Sequence, residues 1–324
     1  MFAESTDEIP RRIGFLLIPN FSMIAFASAI ETLRLANRHA ERRLYEWQLL
    51  SVDGAAVSAS NGIALMPDGR ISDFERARTA IVCSGIEVER FDVGPVRGWL
   101  RRLDRLGCDI GALCTGAHVL ARVGLLQGYR CTIHWENLAG FVEEFPDIEV
   151  STDLFEIDRN RFTCCGGTAA IDLMLHLIAM QHGEALATTV SEQLILDRIR
   201  GAHDHQRMPL RSRLKINNPK LIEVIGLMET HLEDSLSQEN LATGVELSRR
   251  QLERLFRRHL GASPARFYLG LRLNRARLLL HQTDMSVIDV ALACGFVSAS
   301  HFSKCYRQAY GRTPRAERTL PQVA

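Results

Sequence analysis

The chain has 324 residues, 46% of them hydrophobic and 24% charged, a composition that leaves room for two packed domains and excludes a disordered or fibrous protein. Its net charge of +1 conceals an asymmetry: residues 1–200 carry 20 Lys and Arg against 27 Asp and Glu, whereas residues 201–324 carry 19 against 11, so the two stretches stand at −7 and +8. A polyanion is repelled by the first and drawn to the second, so contact with nucleic acid is expected in the C-terminal part alone.

In chain order, the first half alternates β-rich runs with helical patterns: Ile13 to Ile18 and a helix through Leu35, Trp47 to Val52, Ala80 to Cys83 and a helix near Val96 to Leu106. Asp109 to Leu113 follows with a helix behind it, then apolar helices near Ala169 to Ala179 and Ala185 to Ile199. Strand followed by helix, repeated, predicts an α/β domain over 1–200 with a doubly wound, flavodoxin-like parallel sheet, whose ligands bind at the carboxyl ends of its strands. From 201 to 218 the pattern gives way to Gly, His, Arg, Ser and Asn, which predicts a linker. Residues 219–324 read as purely helical.

The eight cysteines form no Cys-x-x-Cys pair and no zinc-spaced cluster with histidine, so no metal or other cofactor is expected and the thiols read as reduced. No apolar run approaches the roughly eighteen residues of a membrane span, so a cytoplasmic location with no membrane partner is expected.

At the end of strand Asp109 to Leu113, the small-residue turn Cys114-Thr115-Gly116-Ala117 presents Cys114 at a strained corner, with a helix N-terminus behind it expected to lower its pKa. Ser84-Gly85, at the end of the preceding strand, would bring backbone N–H to the same place, and His134 is the only nearby candidate base. Phe21, Phe26 and Trp135 as an aromatic wall, with Glu31 or Glu136 as the negative group, suit a cationic amine. The bland alternatives are a structural thiol, core aromatics and solvated glutamates.

The tail carries one signature twice, fifty residues apart: Ser248, Leu252, Phe256, Gly261, Ser263, Pro264, then Ser298, Phe302, Tyr306, Gly311, Thr313, Pro314. Ser is placed as N-cap, the hydrophobes share one helical face, and Gly lets the chain leave the helix. Each copy follows a shorter helix, Gln238 to Ala242 and Ser286 to Ala293, making two helix-turn-helix units. In the first reader, Ser248, Arg249, Arg250, Gln251, Arg254 and Arg257 are the DNA-binding candidates, with Arg250 and Arg254 set for guanine edges and Arg257 or Arg258 for phosphate. In the second they are Ser298, Ala299, Ser300, His301, Ser303, Lys304 and Arg307, a sparser set suited to close apposition and methyl contact.

These residues carry a resemblance. Leu255-Phe256-Arg257, Gly261-Ala262-Ser263-Pro264, Arg272-Leu273 and the run from Ala291 through Gly295-Phe296 to Thr313-Pro314 make residues 218–318 resemble the DNA-binding domain of the AraC/XylS regulators. That implies a linking helix, about Pro264 to His281, setting two readers into successive major grooves about 34 Å apart. Glu317 departs from the pattern, standing where an aromatic is usual before Arg318. Residues 12–198 resemble the PfpI/ThiJ-like, class I glutamine-amidotransferase-like fold, through Ile18-Pro19-Asn20-Phe21-Ser22, Cys114-Thr115-Gly116, Thr132 to Trp135 and Cys165-Gly166-Gly167-Thr168.

Together the two halves resemble GlxA-type regulators. Enzymes of the amidotransferase-like superfamily usually carry a carboxylate early in the first helix, and that place is Ala25 here, so Cys114 and His134 are expected to be a vestigial elbow without turnover. The resemblance implies an effector among amino acids and methylated or quaternary amines, glycine betaine and carnitine being examples. Its expected binding residues are Asn20, Phe21, Ser22, Glu31, Ser84, Gly85, Cys114, Thr115, His134 and Trp135. The expected function is a transcription regulator, more readily an activator, with double-stranded DNA, a small-molecule effector, RNA polymerase and a second copy of the chain as partners. A Cys-dependent hydrolase, amidase or deglycase fused to a DNA-binding domain is the competing expectation.

Overall fold

A computed structural model of the chain describes residues 10–74 and 78–319; residues 1–9 of the expected 1–200 domain, its residues 75–77, and 320–324 of the tail lie outside the described residues. The chain forms two compact units that divide between Gln206 and Arg207.

In the first unit the strands are β1 (Arg11–Leu17), β2 (Tyr45–Ser51), β3 (Val57–Ser58), β4 (Ala64–Leu65), β5 (Gly69–Arg70), β6 (Thr79–Cys83), β7 (Asp109–Leu113), β8 (Arg130–Thr132), β9 (Glu149–Ser151), β10 (Phe155–Asp158) and β11 (Arg161–Cys164). The helices are α1 (Met23–His39), α2 (Gly94–Arg105), α3 (Gly116–Arg122), α4 (Leu138–Glu144), α5 (Ala169–His182) and α6 (Glu184–Gln193). Seven strands form one sheet in the order β10-β11-β7-β6-β1-β2-β5, parallel except for β10 at the edge. Its central run β2-β1-β6-β7-β11 is the 2-1-3-4-5 order of flavodoxin-like sheets, as expected.

Strands β6 and β7 are buried at every position, because helices cover both faces. Alternate residues of β1 feed separate cores: Phe15 and Leu17 meet Leu33, Leu173 and Leu177 on one side, and Leu16 meets Val82, Val96 and Leu100 on the other. Two buried arginines hold the sheet by ion pairs, Arg11 to Asp109 and Arg161 to Asp104, the latter also donating from Nε to the Leu125 carbonyl at 2.9 Å.

Two expectations need correction. The last helix of this unit ends at Gln193 rather than continuing to Ile199, because Ile195 takes a left-handed conformation (φ 57°). From there the chain turns back, and the Arg200 guanidinium pairs with the buried Asp172 carboxylate at 2.7 Å. The stretch 201–218, expected to be linker, carries structure of its own. Gln206 Nε2 donates to the Thr132 hydroxyl and to the Ile133 and Asp153 carbonyls in the first unit, while α7 (Leu210–Leu214) and the buried Ile216 belong to the second.

The second unit is helical: α8 (Pro219–Thr230), α9 (Gln238–Gly244), α10 (Arg249–Leu260), α11 (Pro264–Gln282), α12 (Val287–Ala293), α13 (Ala299–Tyr310) and α14 (Pro314–Arg318). Ser248 and Ser298 cap α10 and α13, and Gly261 and Gly311 leave them at φ 67° and 73°. The hydroxyls of Ser263 and Thr313 cap α11 and α14, with Pro at the first turn of each. Residues 251–260 and 301–310 bury the same positions in the same order, so the sequence repeat is a structural one.

Glu317 has a specific solution. It is fully buried and accepts from Arg277 Nε at 3.0 Å and His281 Nε2 at 3.1 Å, tying α14 to α11 in place of an aromatic contact. Burial pushes its carboxyl up, but the His281 and Arg277 hydrogen bonds outweigh that and hold it below the usual value of 4.5. A depressed pKa contributes stability that is present above about pH 4.5 and lost as the pH falls through the folded value. Glu317→Gln is therefore expected to flatten the acid limb of second-unit stability, measured by tail unfolding between pH 3 and 7; an unchanged limb would contradict the assignment.

Candidate functional site

The loops after β1, β6, β7 and β11 meet at the carboxyl ends of their strands, flanking the point where the chain reverses its direction across the sheet between β1 and β6. Three non-glycine residues there are left-handed, Asn20 (φ 61°), Glu87 (φ 58°) and Cys114 (φ 60°), and such backbone strain concentrates at functional sites. The loops are closely fitted. A Cβ on Gly85 would lie 2.1 Å from the Asn20 carbonyl oxygen, and one on Gly166 would lie 2.8 Å from Cys114 Cβ. Thr115 Oγ1 donates to the Gly85 carbonyl at 2.5 Å, locking the elbow to the loop after β6.

Cys114 sits on the expected elbow, but its electrostatics are the reverse of expectation. Burial pushes its thiol up to about 12, and the favourable Thr115 backbone and Ser22 hydroxyl hydrogen bonds do not compensate; Cys165 and Glu136 raise it further. A short helix cannot offset the desolvation of a thiolate that is 9% exposed. His134 is half-buried, with its pKa lowered by burial against the opposing pull of Glu136, whose carboxylate lies 3.8 Å from Nδ1. Ala25, at the place of the missing acid, is buried.

The expected ligand residues do not all meet. Asn20, Ser22, Ser84, Gly85, Cys114 and Thr115 share the crevice by the contacts above and by the Ser22 N–H to Ser84 carbonyl bond at 3.1 Å. The Ser84 N–H is directed at the Leu113 carbonyl (3.5 Å), so it does not stand open as an oxyanion donor, whereas its hydroxyl is buried with no hydrogen-bond partner among the described residues. Phe21 and Phe26 do not form a wall: both are buried and pack edge to face, 5.8 Å apart. Glu31 stands on the exposed side of α1, paired with Arg34 at 2.7 Å. Trp135, 37% exposed, lies against His134 with ring centroids 5.7 Å apart.

A cavity of about 650 Å³, which no sequence motif marks, lies beside this crevice, lined by Asn20, Asp53, Glu87, Arg90, Phe91 and Asp92 among others. Asn20 Nδ2 donates to Glu87 Oε2 at 3.3 Å, and Arg90 pairs with Glu87 at 2.6 Å. The signal available in the sequence was the run Glu87 to Asp92 just after β6, where switch-point ligands bind.

On α10, Arg250 and Arg254 are exposed, four residues apart, with no ion-pair partner among the described residues. The other candidates are partly engaged. Gln251 and Ser248 close a capping box, Arg249 Nε donates to Gln238 at 3.3 Å, and Arg257 pairs with Glu253 at 3.0 Å. On α13, Ser298 is the N-cap and Ser300, His301, Lys304 and Arg307 are exposed, while Ala299 and Ser303 are half-buried. His301 Nε2 lies 3.4 Å from Cys305 Sγ.

Comparison with known proteins agrees with this division. Residues 11–180 match the DJ-1/PfpI family and residues 241–319 match a helix-turn-helix domain. The chain is 51% identical over 309 residues, 95% of its length and 84% of the relative's, to the HTH-type transcriptional regulator GbdR of Pseudomonas aeruginosa. It is 37% identical to the HTH-type transcriptional regulator GlxA of Rhizobium meliloti, with 97% of each chain covered. Among solved structures, an AraC family transcriptional regulator from Pseudomonas putida superposes with a TM-score of 0.54 at 30% identity, covering 57% of this chain and all of that one. Among the described residues no helix is long and apolar enough to cross a membrane. The chain therefore belongs to the GlxA-type HTH transcriptional regulators of the AraC family, which join a DJ-1/PfpI domain to two helix-turn-helix units.

Proposed function

We propose that the chain is a ligand-responsive activator. Its first unit binds a small nitrogenous metabolite, an amino acid or a methylated or quaternary amine, and its second unit reads operator DNA upstream of genes that consume that metabolite. The observation that carries this reading is the crevice itself: strained, glycine-fitted loops surround a thiol held neutral, and beside them a cavity presents Asp53 and Asp92 with Phe91, Glu87 being already paired with Arg90. Carboxylates beside an aromatic ring suit a cation. A protonated thiol with Ala25 in place of an acid is a poor nucleophile, which argues against the hydrolase reading and for a catalytically silent sensor.

The effector acts by binding one arrangement of the chain better than another. Pairing of two copies would present four readers, and activation would bring RNA polymerase to the bound DNA.

The test is a thermal-shift screen of the full chain with amino acids and methylated amines. A ligand present at a hundred times its Kd is expected to stabilise the first unit by about 2.7 kcal/mol. A screen with no shift at all would overturn the sensor reading, and amide or glycated-substrate turnover abolished by Cys114→Ala would establish the hydrolase.

A further inference from the structure

The two helix-turn-helix units differ by one residue. The first runs from its N-cap Ser237 to the reader's N-cap Ser248, and the second runs from Ser286 to Ser298, one position longer. Backbone hydrogen bonds locate the addition. In the first turn the Glu246 N–H donates to the Thr243 carbonyl and the Leu247 N–H to Ala242; in the second the Gly295 N–H donates to Leu292 and the Phe296 N–H to Ala291. Gly295 thus matches Glu246, both left-handed, and Phe296 matches Leu247. Val297 has no counterpart.

Nothing in the packing of the unit calls for Val297. Phe296 already fills the core at 2% exposure, whereas Val297 is 95% exposed, the most exposed of the large hydrophobic side chains described. Its place is specific: it directly precedes Ser298, the N-cap of α13, and the N-terminal end of a reader helix is the end that meets base edges. Behind it the α13 candidates Ala299, Ser300 and Ser303 are short, so an apolar group at the tip can approach a base closely. The apolar feature that the major groove offers is the thymine C5-methyl.

We propose that Val297 is a specificity residue of the second unit, packing its isopropyl group against the C5-methyl of one thymine. This rests on the reading of α13 as a DNA reader. The methyl contact gains by leaving water and requires no hydrogen bond, which fits a unit with no arginine before Arg307 on its reader.

The test begins with the consensus duplex that the full chain selects from a random-sequence pool, with each thymine replaced in turn by deoxyuridine. Removing one buried methyl is expected to weaken wild-type binding about fourfold at a single thymine in the second unit's half-site. Val297→Ser is expected to weaken binding to the unmodified duplex by a similar factor and to be indifferent to deoxyuridine at that position, while Val297→Ile keeps the dependence. Wild-type affinity and an unchanged deoxyuridine profile for Val297→Ser would overturn the proposal and point to a protein partner. Equal weakening on selected and random DNA would overturn it in favour of a backbone or folding effect. Failure to select any consensus would overturn the reader itself, and this inference with it, before any variant is made.

Discussion

Gly85→Ala is expected to cost the first unit about 3 kcal/mol or more and to abolish its response to effector. The new Cβ would lie 2.1 Å from the Asn20 carbonyl oxygen, 2.8 Å from the Ser22 nitrogen and 3.0 Å from the Phe21 carbonyl carbon, all backbone atoms that cannot rotate away. Overpacking against side chains costs about 1–3 kcal/mol, and backbone neighbours put the change at or above the upper end. The Asn20–Ser22 loop must move, and with it the Ser22 hydroxyl that interacts with the Cys114 thiol and the Asn20 amide that reaches Glu87. For a unit of this size the loss corresponds to a Tm lower by roughly 6–12 °C. Gly98→Ala is the control, since it lies in α2 with open space around its Cβ position, and there alanine is expected to stabilise by up to about 1 kcal/mol. Equal Tm values for the two variants would show that the close approach of the loops is not what holds the crevice.

Periodicity made the sheet and the tail legible because their residues obey local rules. Strand Asp109 to Leu113 matches β7 at both ends, since a run this short, apolar after Asp109 and closed by the small-residue turn at Cys114, has the length of a buried strand. The tail repeated its caps, hydrophobes and glycines twice, and both copies fold as their spacing predicts. Strands β10 and β11 passed unread because Glu156, Asp158, Arg161 and Thr163 make them look like loop; Arg161 is buried through partners at Asp104 and Leu125, far off in the chain. Long-range pairing of this kind leaves no local pattern.

The candidate site was legible in its backbone and misread in its side chains. Cys114, Ser84 and Gly85 converge because strand ends converge, which topology dictates. Whether Phe21 faces a ligand or a core depends on Phe26, which packs against it and itself meets Phe15, and Glu31 found Arg34 one turn along its own helix. The thiol's upward shift follows from burial, a property of the whole fold that no spacing around Cys114 could announce.

The uneven readers lead to the largest expected effect on DNA binding. Arg250 and Arg254 stand one helical turn apart on the exposed face of α10, while Arg249 and Arg257 already hold partners on the protein. A guanidinium with no internal partner keeps its full fork of donors for guanine O6 and N7, and each such bidentate contact discriminates by about 1–3 kcal/mol. The double variant Arg250→Ala, Arg254→Ala is therefore expected to lose about 2–6 kcal/mol on the selected operator, far less on random DNA, and most of its preference at two base pairs of the first half-site. Arg307, exposed near the C-terminal end of α13, is expected to meet phosphate rather than a base edge, so Arg307→Ala is expected to weaken all sequences alike and to reduce the salt slope by about one. Competition binding at two salt concentrations separates the two behaviours. If the double variant lost affinity equally on operator and random DNA, α10 would be a backbone clamp, and sequence readout would have to come from the sparse face of α13.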